Sequence, residues 1–241
     1  SMELNMFKNA RFTSAIVVAA SVLAGTITPA SAATTAELTI SGTIEPPACN
    51  LTVTGSIDFG TRPTSSLTNQ PLFEGPFGSA YQLNAPTYPA ITVDCEGPRA
   101  FALTITDNKA SSVAPMDNYD ALYQMGLGNA ANGARIGAWS TYLHTVTVTS
   151  TVGGPATSPT GFFSQPIGAA GPWTLIPGSG FNWELGNQYA VQAAADQTSP
   201  PSLTGLTGSL SVFGRIDKAF LDNMTATTLI DGSVTVTLLY L

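Results

Sequence analysis

Few side chains in this sequence are suited to chemistry, and their spacing limits what they could do. The chain has one histidine. His144 sits in the alternating run Tyr142, His144, Val146, Val148, so on a strand it shares a face with those residues and reads as a half-buried structural histidine. Any Ser-His-Asp triad would have to use it, and no G-x-S-x-G elbow accompanies it. Asp117 with Asp120, and Asp94 with Glu96, could be paired as acid and base. Each pair lies beside turn residues, where acids cap or meet solvent, whereas a glycan hydrolase needs two carboxylates converging in a cleft. Cys49 and Cys95 are the two thiols, and zinc wants three or four ligands at short spacing, which one histidine and no C-x-x-C do not supply. Trp173 and Trp183, near Phe162, Phe163 and Phe181, could form an aromatic platform for a sugar, although core or loop anchoring is the commoner fate of such rings. The expectation is a protein that is not an enzyme, with no catalytic, cofactor-binding or metal residues.

The elements that position these residues begin after an export signal. Lys8 and Arg11 form a basic n-region, residues 15–23 an apolar h-region, and residues 28–32 a small-residue cleavage site of A-x-A type. Residues 1–32 therefore read as a signal peptide, with residues 1–5 either an expression remnant or an upstream start. The apolar run is too short for a membrane anchor, which takes about 20 residues, and no later segment could span a bilayer as a helix. Export gives the cysteines an oxidising compartment, and an even count leaves none over, so a Cys49–Cys95 disulfide is expected.

Charge narrows the partners. Eight Lys and Arg against fifteen Asp and Glu give a formal charge of −7, which excludes the basic surface that nucleic-acid binding requires. Beyond residue 33 the dominant period is two: Leu38 and Ile40, Leu51 and Val53, Ile57 and Phe59, Ile91 and Val93, Phe101 to Ile105, Tyr142 to Val148, Tyr189 to Val191, Leu206 to Phe213, and Val234 to Tyr240. Short strands punctuated by Gly, Pro and Asn predict an all-β antiparallel sandwich or barrel. Residues 119–127 allow one short helical turn at most. Residues 152–180, rich in Gly, Pro, Ser and Thr, read as a long decorated loop, and residues 33–241 as a single domain with large loop insertions.

At its ends the chain resembles a known family. The segment LTISGTIEPPACNL (38–51) is similar to the first strand of chaperone-usher pilins, Phe59-Gly60 to the element that follows their first cysteine, and TVDCEGP places Cys95 as its partner. The stretches FALTITDNKASSV and GLGNAANGARIGA look like the DUF1120 group of fimbrial-like subunits, and DGSVTVTLLYL resembles a pilin's closing strand. Gly232 lies closer to the C-terminus than the pilin pattern usually places its glycine.

The resemblance implies an immunoglobulin-like sandwich made without its last strand and completed by a donated one, since an open edge is a liability in isolation. It implies a structural subunit of a bacterial fimbria, exported through the periplasm to the cell surface, whose partners are a periplasmic pilus chaperone, an outer-membrane usher and other fimbrial subunits. A carbohydrate-binding tip adhesin, contacting a host or surface glycan through Trp173 and Trp183, is the alternative; a secreted glycan hydrolase is the more distant one. Val234, Val236, Leu238 and Tyr240 are expected on one face as the groove strand that a chaperone binds. Residues 33–40, with Ala36, Leu38 and Ile40 on one face, are expected to be a donor strand or to stay with their own domain.

Overall fold

The computed structural model describes residues 48–75, 78–85, 88–114 and 121–241. The signal peptide, the donor segment 33–40 and the pair Asp117 and Asp120 lie outside the described residues.

Alternation of apolar and polar residues becomes two antiparallel sheets. In chain order the strands are β1 (Cys49–Thr54), β2 (Leu72–Gly75), β3 (Gly78–Asn84), β4 (Ala90–Arg99), β5 (Phe101–Asp107), β6 (Met125–Gly126) and β7 (Gly137–Thr149). They continue with β8 (Gly161–Pro166), β9 (Thr174–Pro177), β10 (Phe181–Asn182), β11 (Asn187–Gln192), β12 (Leu203–Asp217) and β13 (Val234–Tyr240). The organiser is β12. Leu206, Gly208, Leu210, Val212, Gly214 and Ile216 point inward along it while the residues between them are less buried, as a strand with one wet face requires. Its length lets it pair with β7 along one side and with β4 and then β3 along the other. β1 extends β4, β2 extends β3, and β6 and β10 pair with β7. The second sheet runs β13-β5-β11-β8-β9.

The faces of the two sheets meet in a core of Ile91, Val93, Leu103, Phe162, Val191 and Leu206, among others. Burying each of these larger side chains is worth roughly 1.5–3 kcal/mol. A second cluster of Leu67, Leu83, Leu127, Ile136, Ile216 and Leu221 sits under two short helices, α1 (Thr64–Thr68) and α2 (Lys218–Asp222). The Asp217 carboxylate caps α2 by accepting from the Ala219 N–H at 3.1 Å. Two glycines, one in β6 and one opening β7, pack where no side chain fits: a Cβ on Gly126 would lie 2.1 Å from the Lys109 carbonyl oxygen, and one on Gly137 2.0 Å from that of Arg215.

The all-β sandwich expected from the periodicity is therefore present, with corrections in detail. Ile57 and Phe59 are not on a strand, because the Asp58 Oδ1 accepts from the Gly60 N–H at 2.8 Å and Gly60 takes φ +64°, which folds the segment into a turn. Residues 152–180 are more than a loop: β8 and β9 form a hairpin there that buries Phe162 and Phe163. The helical turn is a 3-10 turn at Ala121–Tyr123, and the chain is back in strand by Met125. His144 does not share a face with Val146 and Val148. At a bulge, Thr145 and Val146 together oppose Gly208, and Thr145 takes φ +52°, which resets the inward phase so that Leu143, Val146 and Val148 are all buried.

Candidate functional site

The site begins with two sheet edges. Among the described residues, β1 pairs with β4 alone and β13 with β5 alone, so each leaves one row of backbone N–H and C=O groups without a ladder partner. Their inward side chains confirm the gap. Val234 and Val236 of β13 and Leu51 of β1 are half-buried, and Val53 is 45% exposed, although each occupies the inward phase that is buried elsewhere in the sandwich.

Between these edges runs an apolar groove of about 1140 Å³. Its walls are Leu51, Val53, Val234 and Val236, and its floor includes Ile105, Leu210 and Trp183. The groove narrows where β1 and β13 come together: the Cys49 N–H donates to the Tyr240 hydroxyl at 2.9 Å, and the Arg99 guanidinium lies 5.0 Å from the Tyr240 ring centroid. At its other end it broadens beneath residues 55–63 and 227–233, reaching the second apolar cluster. There the Asp231 N–H donates to the Leu127 carbonyl at 2.9 Å, and Lys109 Nζ pairs with the Asp231 carboxylate at 2.5 Å. Asp58 is the one carboxylate among the described residues that line the groove. The lining is thus suited to an apolar row presented by an extended backbone.

The disulfide fixes one wall. Cys49 and Cys95 face each other in the β1–β4 register and are bonded, as the sequence led one to expect. Of the four residues assigned to the groove strand, Val234 and Val236 line the groove, Leu238 packs into the main core, and Tyr240 is 49% exposed and closes the narrow end.

The other candidate residues do not assemble. Trp183 is 1% exposed and packs against Phe181 and Tyr189, whereas Trp173 packs on Phe163 in a separate cluster. A surface platform made of both rings is therefore corrected: one of them is core. Asp94 and Glu96 share the outer, exposed face of β4, and Glu96 accepts from the Ala48 N–H at 3.4 Å. His144 lies on the outer face of its sheet, with Nε2 2.8 Å from the Ser211 hydroxyl and Nδ1 2.7 Å from the Thr145 hydroxyl. Its ring stacks on Tyr142 with the edge of Tyr88 against it. Both ring nitrogens are occupied by hydroxyls, which can donate or accept, and among the described residues these hydroxyls, rather than a carboxylate, are the ring's hydrogen-bond partners. Burial raises the Tyr189 hydroxyl from 10.0 to about 12.

Sequence reasoning missed the opposite wall and the floor. Leu51 and Val53 read as ordinary strand residues, and Trp183 as a ring either anchored in the core or offered to a sugar, because nothing local marks which inward residues lack an opposite layer.

Residues 38–140 match the family model DUF1120, described as a protein of unknown function. That match covers β1 to β6 and the start of β7. No curated protein and no solved structure matches the chain. Among the described residues, no helix is long and apolar enough to cross a membrane.

Proposed function

We propose that this protein is an exported structural subunit of a bacterial surface fimbria that completes its sandwich by taking a strand into the β1–β13 groove. The observation that carries the reading is the groove itself: two facing edges whose outer backbone has no ladder partner among the described residues, and between them inward valines left half-exposed. An extended segment laid there would gain ladder hydrogen bonds along its length and bury alternate side chains, which is how strand addition combines affinity with specificity. On this reading a periplasmic chaperone supplies the strand first, and a neighbouring subunit replaces it after delivery to an outer-membrane usher. The DUF1120 match and the likeness of the chain's two ends to pilins support it.

Co-expression with a pilus chaperone tests the proposal. The chain should be recovered from the periplasm as a one-to-one complex, and removal of the last four residues, which includes the Tyr240 closure, should abolish capture. Equal yield as a free monomer with and without chaperone would overturn it.

A further inference from the structure

A cluster of rings lies on the wet face of the larger sheet, away from the groove. Tyr142 and His144, two residues apart on β7, have near-parallel rings with centroids 6.1 Å apart, and Tyr88 sets its edge against His144 at 5.6 Å. In the β12–β7 register Ser211 faces Tyr142 and Phe213 faces Ser140, which puts Phe213 diagonally beside Tyr142 on the same face. Tyr88 is 61% exposed and Phe213 38%. Single exposed rings are ordinary on a surface, whereas rings gathered on one face mark a contact site. The cluster is also held in place. The imidazole is tied to hydroxyls on both sides, Nε2 to Ser211 at 2.8 Å and Nδ1 to Thr145 at 2.7 Å. The backbone at Gly180 abuts the Tyr142 phenol, since a Cβ there would lie 2.7 Å from its hydroxyl. Among the described residues the Tyr88 and Tyr142 hydroxyls have no hydrogen-bond partner, so each offers a donor and an acceptor to a ligand.

We propose that Tyr88, Tyr142, His144 and Phe213 form a binding site for a neutral saccharide. The negative face of an aromatic ring attracts the polarised C–H groups on one side of a pyranose, and the phenol hydroxyls pair with the hydroxyls at its rim. Held rings bind without an ordering cost, which is what a small ligand needs. Among the described residues, the ring and hydrogen-bond contacts of the cluster involve no charged side chain, and the chain's formal charge of −7 disfavours an acidic sugar. None of the four residues lines the groove, so the site does not depend on the strand-accepting reading.

The chain has one histidine, so the imidazole C–H resonances of the untagged exported protein report on this site without assignment. The methyl glycosides of glucose, galactose, mannose and N-acetylglucosamine are titrated in, with methyl glucuronide as the acidic comparison. At least one neutral glycoside should move the His144 resonances saturably, and the glucuronide should move them less. Tyr88→Ala should weaken that binding about fivefold or more, with the urea midpoint unchanged because the residue is on the surface. Tyr142→Phe keeps the ring, removes the hydroxyl and should weaken it roughly two- to tenfold. No response to any neutral glycoside, a stronger response to the glucuronide, or binding that survives both substitutions combined overturns the proposal. A fall in sedimented mass in Tyr88→Ala without a glycoside response assigns the patch to a protein contact and overturns it as well. The groove reading is decided separately, by the chaperone experiment.

Discussion

Removing the disulfide should weaken the fold by an amount that the chain itself sets. Cys49 and Cys95 are 46 residues apart in sequence, and in the chain-entropy model closing a loop of that length constrains the unfolded state by about 4 kcal/mol. Against the roughly 5–15 kcal/mol of an ordinary domain, that loss is large. Alanine is the proper replacement at both positions, because Cys95 is buried among core residues and a serine there would add an unpaired hydroxyl. With an m-value of about 2–3 kcal/mol/M, the urea midpoint of the double variant should fall by about 1.3–2 M. The consequence extends to the groove, since among the described residues β1 is held in its sheet by β4 alone. Its amides should lose exchange protection in the variant before those of β12 do. A midpoint shift under about 0.5 M, or β1 amides as protected as before, would refute the assignment of this bond as the tether of the groove wall.

Three further outcomes follow from particular contacts. Gly126→Ala, whose Cβ would meet the Lys109 carbonyl at 2.1 Å, should cost about 1–3 kcal/mol in urea denaturation, with no loss refuting the close approach. Thr145→Asn should stabilise by up to about 1 kcal/mol, since asparagine tolerates the left-handed backbone at φ +52° better than a β-branched residue does; a clear loss would show that the threonine hydroxyl outweighs the strain. Because burial lifts the Tyr189 hydroxyl from 10.0 to about 12, the unfolded chain gives up that proton first. Its contribution to stability is therefore full below pH 10 and lost as the pH rises toward 12. Urea midpoints across that window should fall less steeply in Tyr189→Phe, and identical slopes would contradict the assignment.

How much of this was legible in the sequence depends on what each feature rests on. Strands such as β5, β12 and β13 are written in their own alternation, and the disulfide in two cysteines and an export signal. The β8–β9 hairpin is hidden by the prolines and glycines around it, and what makes it strand is burial of Phe162 and Phe163 against the other sheet. Thr145 marks its bulge with no glycine, so the phase of His144 against Val146 is fixed only when Gly208 arrives from β12. Trp183 and Trp173 are equivalent as sequence and opposite as structure. The groove is half legible: the row Val234 to Tyr240 is a strand anyone can read, but that its inward valines face an empty layer depends on where β1 ends up, which no local pattern states.

Amide exchange along the two edges tests the central claim most directly. With a synthetic peptide of residues 36–44, AELTISGTI, present at saturation, amides of β1 and β13 should exchange more slowly than in the free protein. The edge strands β2 and β9, whose residues do not line this groove, should be unchanged. Protection confined to β9 or β2, or no protection at β1 and β13, would contradict the account.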